Sequence, residues 1–305
     1  MPKPLILVIG EALMDIVTDA AGARTEHVGG SPANVALGLA ALEHPVRLAT
    51  TLGADARGER IRTHLERHGV RLAKGSVNDD PTSTAQVTFD AEQNATYTFD
   101  ISWDLAPVRA GARVRHIHAG SLATALEPGC ARARAAMTDN RDTRTLSYDP
   151  NIRPGIMGDL AEIRSGVEEL VGVVDVVKAS TDDIDLLYPG RAAEDVLDHW
   201  ISLGAALVVL TRGADGVAYR TRTGEIVTRP TLATRVVDTV GAGDSFMAGL
   251  LSGLLGLDLI GDVEARATLL EASSEAVRPA IDRALAASAL TVGHAGAYAP
   301  SLEEL

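Results

Sequence analysis

Thr145-Leu146-Ser147-Tyr148-Asp149 is a short apolar-leaning run that stops at Pro150-Asn151. A segment of helical period follows over Leu160–Leu170, and a second apolar run occupies Val173–Lys178. Strand, helix, strand is the unit from which a parallel sheet is built, because parallel neighbours need a long crossover. The same unit recurs on either side. Toward the N-terminus the candidate strands are Leu5–Ile9, Val46–Leu52 and His116–Ala119, and toward the C-terminus Ala206–Leu210. Candidate helices lie between them at Pro32–Leu42, Arg57–His68, Glu127–Met137 and Ala193–Leu203. Apolar strands without alternation are strands covered on both faces. The chain is therefore α/β, with a mostly parallel central sheet between two layers of helices.

Each strand ends in a polar or glycine-bearing turn: Gly10-Glu11, Gly53, Gly120-Ser121, Asp149-Pro150-Asn151, Ser180 and Thr211-Arg212-Gly213. Open α/β sheets bind ligands at such carboxyl-end turns. One stretch breaks the pattern. Ala85, Val87 and Phe89 alternate with Gln86 and Thr88, and after a turn at Glu92-Gln93-Asn94 the apolar face resumes through Ala95, Tyr97, Phe99 and Ile101. Strict alternation predicts a half-exposed hairpin over Thr84–Ile101, not another crossover unit. Four of the ten aromatic residues (Phe89, Tyr97, Phe99, Trp103) fall in or beside it, so this small sheet covers something.

Composition narrows the function classes. At 305 residues, 46% hydrophobic and 23% charged, the chain can bury a core without disulfides or a structural metal. Residues 1–305 read as a single domain. The one cysteine, Cys130, can form no intrachain bridge, which fits a reducing compartment. A net charge of −13 argues against a nucleic-acid partner. The apolar stretch Met247–Leu257 falls short of the ~20 residues a membrane span requires. Glu11 and Asp15 follow Leu5–Ile9 where a signal peptide would continue apolar. A cytoplasmic protein with no membrane partner is expected.

Two glycine-bearing motifs carry chemistry. In Asp238-Thr239-Val240-Gly241-Ala242-Gly243-Asp244-Ser245-Phe246, the Gly-Ala-Gly run lets successive N–H groups point at one spot. The segment Ser245–Leu255 reads as the helix behind them, whose positive end favours an anion. Asp244 stands at the mouth of that site. It could accept a proton from an attacking hydroxyl, or merely cap the helix, and spacing alone does not separate the two. In Gly29-Gly30-Ser31-Pro32-Ala33-Asn34, Ser31 is placed to cap a helix beginning at Pro32. The two glycines admit a ligand to the backbone, and Asn34 offers both a donor and an acceptor. Asp15, six residues past Ile9, can hang over the same sheet edge, and Asp and Asn suit sugar hydroxyls. There is no Gly-Lys-Ser/Thr P-loop, and Gly10 lacks the partner glycines of a dinucleotide fingerprint. His116 and His118 alternate along a strand without further ligands at zinc spacing.

Together these pieces resemble the ribokinase, or PfkB, family of carbohydrate kinases across essentially the whole chain, with its early signature at Gly29–Leu42 and its late one at Asp238–Leu251. The resemblance implies a ribokinase-like fold with a small β-sheet lid, whose elements would fall near residues 11–30 and 84–103. It implies ATP-dependent phosphorylation of a sugar hydroxyl, with Asp244 as general base and Gly241, Ala242 and Gly243 as the anion hole. Sugar binding would fall to Asp15, Gly29, Gly30, Asn34, Phe99, Asn151 and Arg153, and nucleotide binding to Ser180, Thr211, Arg212, Gly213 and Gly216. Asp238 would serve a monovalent cation, usually K+, and Asp183 would serve Mg2+ through phosphate or water. Here Ser180-Thr181-Asp182-Asp183 replaces the family's Asn-x-x-Glu, so the amide is lost and the carboxylate kept. Asp149-Pro150-Asn151-Ile152-Arg153 looks most like the equivalent run of fructokinases and 2-keto-3-deoxygluconate kinases. A fructokinase-like activity is the leading expectation, with a ketodeoxygluconate kinase or an inactive sugar-binding regulator as alternatives. Several relatives pair through the lid, which implies a homodimer.

Overall fold

A computed structural model describes residues 3–89 and 95–305, with the side chains of Phe89 and 95–97 left aside. Its strands, in chain order, are β1 (Leu5–Ile9), β2 (Leu13–Thr18), β3 (Arg24–Gly29), β4 (Val46–Ala49), β5 (Leu52–Gly53), β6 (Val70–Leu72), β7 (Val77–Asn78) and β8 (Thr84–Phe89). They continue with β9 (Ala95–Asp100), β10 (Val114–Gly120), β11 (Thr145–Asp149), β12 (Val176–Ser180), β13 (Leu207–Thr211), β14 (Val217–Thr221) and β15 (Val227–Arg229). Nine of them form the central sheet in the order β15-β14-β13-β12-β11-β10-β1-β4-β6. The run from β13 to β6 is parallel throughout, and β14 and β15 close one edge antiparallel.

β1 explains why these strands are apolar without alternation. Ile6 and Val8 enter one core, with the helices Ser31–Ala41, Ala242–Gly256 and Ser274–Val292. Leu7 and Ile9 enter the other, with the helices Gly129–Thr138, Leu160–Val171 and Ala193–Leu203. Both faces are dry, so both parities must be hydrophobic. Trp200 lies in the second core, its indole N–H donating to the Tyr188 hydroxyl at 2.9 Å. His116 and His118 are buried beneath hydroxyls of β11: the His116 ring meets Thr145 and Ser147 at 2.9 and 2.8 Å, and His118 meets Ser147 at 2.9 Å. Burial pushes both imidazoles down to about 3, so they sit there neutral.

Several boundaries differ from the sequence expectation, among them the following three. The run Val46–Leu52 breaks at Thr50-Thr51, where the Thr50 hydroxyl leaves the ladder to accept the N–H of Ala12 at 3.0 Å. The strand expected at Val173–Lys178 begins only at Val176. Asp175 intervenes, its carboxylate gripped by Arg141 and Arg266 at 2.7 Å each and by the N–H of Leu146 at 2.7 Å. The helix expected from Ser245 starts at Ala242, three residues earlier.

The predicted hairpin is present as β8 and β9, antiparallel, with Ala85 opposite Phe99 and Val87 opposite Tyr97. Its turn at 92–94 lies outside the described residues, as do the side chains of Phe89 and Tyr97. The hairpin does not stand alone. β8 pairs parallel with β2, and β2 pairs antiparallel with β3, giving the four-stranded order β3-β2-β8-β9. A two-stranded hairpin is marginal in water, and two further strands supply the missing ladder. Strands β2, β3, β8 and β9 thus form one small mixed sheet at the carboxyl end of β1. Among the described residues, no helix is long and apolar enough to cross a membrane.

Candidate active site

A cavity of about 1560 Å3 opens between the small sheet and the carboxyl ends of the central strands. Of the residues named from sequence, Asp15, Gly29, Gly30, Asn34, Phe99, Asn151, Arg153, Asp238, Gly241, Gly243 and Asp244 line it. Its floor is the start of the helix Ala242–Gly256. Gly241 holds the left-handed conformation at the N-cap (φ 76°), without a side-chain cap. The N–H of Ala242 turns back to Thr239 O at 3.2 Å, while those of Gly243 and Asp244 have no acceptor among the described residues. Two open amides at a helix N-terminus make a ready site for an anion.

Asp244 is the third residue of this helix, so the capping role considered from spacing does not apply. Its carboxylate instead crosses to the other signature. The Ser31 hydroxyl donates to Oδ1 at 2.7 Å and the Asn34 side-chain amide to Oδ2 at 2.8 Å. The expected Ser31 cap is therefore overturned: Gly30 is the N-cap of the Ser31–Ala41 helix, with no side-chain bond, and Ser31 serves Asp244. A hydroxyl in the first turn can aim either inward or across the cleft, and a carboxylate is the stronger acceptor.

Gly29 is required by a close approach. A Cβ at this position would lie 1.8 Å from Asp15 Oδ2, so the glycine makes room for the carboxylate above it. Burial raises the Asp15 carboxyl to about 6, with Asp244 adding to the rise and His27 opposing it. Around the rim, two non-glycine residues hold positive φ, Ser121 at 57° and Asn151 at 40°. Each follows directly on the end of its strand or the turn after it, and their side chains meet at 3.4 Å. Such conformations cost energy and cluster where a side chain must be aimed.

Other named residues lie elsewhere. Asp183 is buried in a capping box: Oδ2 accepts the N–H and hydroxyl of Ser180 at 2.8 and 2.6 Å, and Oδ1 accepts the N–H of Ile152 at 2.7 Å. Ser180 and Asp183 thus brace the turn that carries Asn151 and do not line the cavity. Thr211, Arg212, Gly213 and Gly216 form a tight turn after β13, closed by Arg212 N–H on Gly216 O at 2.8 Å, also outside the cavity. Ala242 is likewise not part of the lining. Asp238 ties the anion loop to the segment before the C-terminus, accepting from Val240 N at 3.0 Å and Gly296 N at 2.8 Å. Those backbone donors hold its carboxyl below the usual range.

Among the cavity residues to which sequence reasoning gave no role are Glu11 and Lys178. Glu11, in the polar turn after β1, is 5% exposed with Oε2 unpartnered, and burial lifts its carboxyl to about 8. Lys178, read only as the end of a strand, points into the cavity from β12 and pairs with Asp149 at 2.9 Å. A lone lysine in an otherwise apolar strand was the available signal.

Comparison with known proteins agrees with this geometry. Residues 3–305 match the model of the pfkB family carbohydrate kinase. A fructokinase of Rhizobium leguminosarum bv. trifolii is 31% identical over 264 residues, covering 82% of this chain and 79% of that protein. The structure of fructokinase from Xylella fastidiosa with bound ATP superposes with a TM-score of 0.86 at 25% identity, covering 98% of this chain and 96% of that one. Fructokinase from Vibrio cholerae O395, a double mutant with fructose, ADP and potassium bound, gives 0.77 at 26% identity with the same coverage.

Proposed function

The chain belongs to the PfkB family of carbohydrate kinases and is a sugar kinase, and we propose that it phosphorylates a ketohexose of the fructose type with Asp244 as the general base. The observation that carries this reading is the carboxylate of Asp244 held by Ser31 and Asn34 beside two open helix amides. The acceptor hydroxyl would give its proton to Asp244 as its oxygen bonds the γ-phosphorus. The bond from that phosphorus to the β–γ bridging oxygen breaks, and ADP leaves. The amides of Gly243 and Asp244 face the charge on the transferred group. Asp15 and the Gly29-Gly30 backbone would bind sugar hydroxyls. Asn34 spends one N–H on Asp244, which leaves its second N–H and its carbonyl oxygen for the sugar.

Thr211, Arg212, Gly213 and Gly216 are proposed for the nucleotide, with Mg2+ neutralising its phosphates. Asp183 gives both oxygens to Ser180 and Ile152, so the ion would be held chiefly by the phosphates themselves. Asp238 joins the anion loop to Gly296, and a K+ ion there would order both. ATP and the reduced Cys130 fit a cytoplasmic setting. Arg153 is exposed at the cavity rim and favours one second reading, an acidic sugar such as 2-keto-3-deoxygluconate.

A panel of ketoses, aldoses and sugar acids in a coupled ADP-release assay, run in potassium and in sodium, tests the proposal. Fructose is expected to give the highest kcat/KM, and potassium the higher rate. Preference for the sugar acid would transfer the assignment to the second reading, and inertness toward every sugar would leave a binding protein.

The small sheet, with Ala85, Val87 and Phe99 on the cavity wall, is proposed as a lid that keeps water from the γ-phosphate. A second copy of the chain is proposed to pack on this sheet. Light scattering should return twice the 31.9 kDa chain mass; the mass of one chain would reject the dimer.

A further inference from the structure

We propose that Lys178 is a further catalytic residue, presenting its ammonium to the phosphoryl group in transfer through the opening that Gly243 leaves in the anion loop. The chain has three lysines, Lys3, Lys74 and Lys178, and arginine supplies the remaining cations. Lys178 alone of the three is buried, at 4% exposure, yet it lines the cavity. Its Nζ makes one hydrogen bond, to Asp149 Oδ2 at 2.9 Å, leaving two N–H groups for another acceptor.

Gly243 marks where those donors face. A Cβ added there would lie 3.0 Å from Nζ, a tight contact that the ammonium could relieve only by giving way a few tenths of an ångström. The ammonium therefore abuts the backbone whose open amides form the anion site. Burial works against the charge on Lys178, but Asp149, Asp183 and Asp244 outweigh it and hold the group protonated. Asp149 is itself buried, with Oδ1 unpartnered. A compact ammonium on a stem fixed by β12 is suited to meet the equatorial oxygens as charge redistributes on them.

The competing role is a structural one, in which Lys178 only neutralises Asp149. K178M, D149N and the double variant separate the two, assayed with the sugar that the wild type prefers, since the inference rests on the sugar-kinase reading of this site. K178M is expected to lower kcat by ~10²–10³-fold, as loss of one preorganised donor does, with little change in KM for ATP or sugar. D149N should lose less, because its amide oxygen still accepts from Nζ. The double variant removes both buried charges and should fold like the wild type while remaining as slow as K178M. Aluminium fluoride should tighten ADP binding in the sugar complex of the wild type and fail to do so in K178M. Recovery of kcat in the double variant, or retained tightening in K178M, would overturn the proposal. If K178M itself does not fold, the double variant decides. A wild type that phosphorylates no sugar would instead overturn the sugar-kinase reading.

Discussion

Asp244→Asn is expected to lower kcat by ~10²–10⁴-fold while leaving the fold and ATP binding in place. The carboxylate is fixed from one side by Ser31 and Asn34, which both donate to it. An asparagine side chain has the same shape and keeps one acceptor oxygen. The Ser31 hydroxyl can rotate to accept from the new amide, so the contact across the cleft survives. What the variant lacks is a group able to take a proton at neutral pH. The open amides of the helix N-terminus are backbone and persist, so nucleotide affinity should be unchanged by calorimetry. Wild-type turnover in this variant would remove Asp244 from the role of base. Loss of ATP binding or of cooperative unfolding would instead make Asp244 a structural link between the two signatures.

That link marks the boundary of what the sequence makes legible. Strand ends and helix starts are local, so the turn at Gly241–Asp244 and the glycines at 29–30 stand out from composition alone. The partner of Asp244 is not local. Ser31 lies 213 residues away, and its hydroxyl has a plausible cap to make beside it. Nothing in the motif says that it crosses the cleft. Burial is equally invisible. Glu11 reads as one polar residue in the turn after β1, like any residue that ends a strand in water, until the small sheet is placed over it. Lys178 was within reach of strand parity, since Val176, Lys178 and Ser180 share one side of β12. The start of that strand is not legible in the same way, because the ion pairs that delay it past Asp175 come from Arg141 and Arg266 on distant segments. Even the alternation that announces β8 and β9 does not disclose that β2 will pair with them.

Glu11 gives the second large effect, and it is one of stability. Its carboxyl is carried from the ordinary 4.5 to about 8, first by burial and further by the charge of Asp244, against a hydrogen bond to Ser121 and the attraction of Arg153. Between these two pH values the unfolded chain has released the proton and the folded chain still holds it. The folded state then binds more protons than the unfolded one, so stability falls as pH rises through this window. The loss accrues at about 1.4 kcal/mol per pH unit, and ends above pH 8, where both states are ionised. Glu11→Gln is close in shape to the protonated acid and has no proton to lose. Near pH 4 the variant and wild type should unfold at similar urea concentrations, because both side chains are then neutral in both states. At pH 8–9 the variant should be the more stable, by an amount that shifts Tm on the order of 5 °C or more. The measurement is the urea midpoint of both proteins across pH 4–9. Parallel curves would mean that Glu11 ionises in the folded protein as freely as in water, with Oε2 reaching solvent or a cation that the present fold does not bring to it.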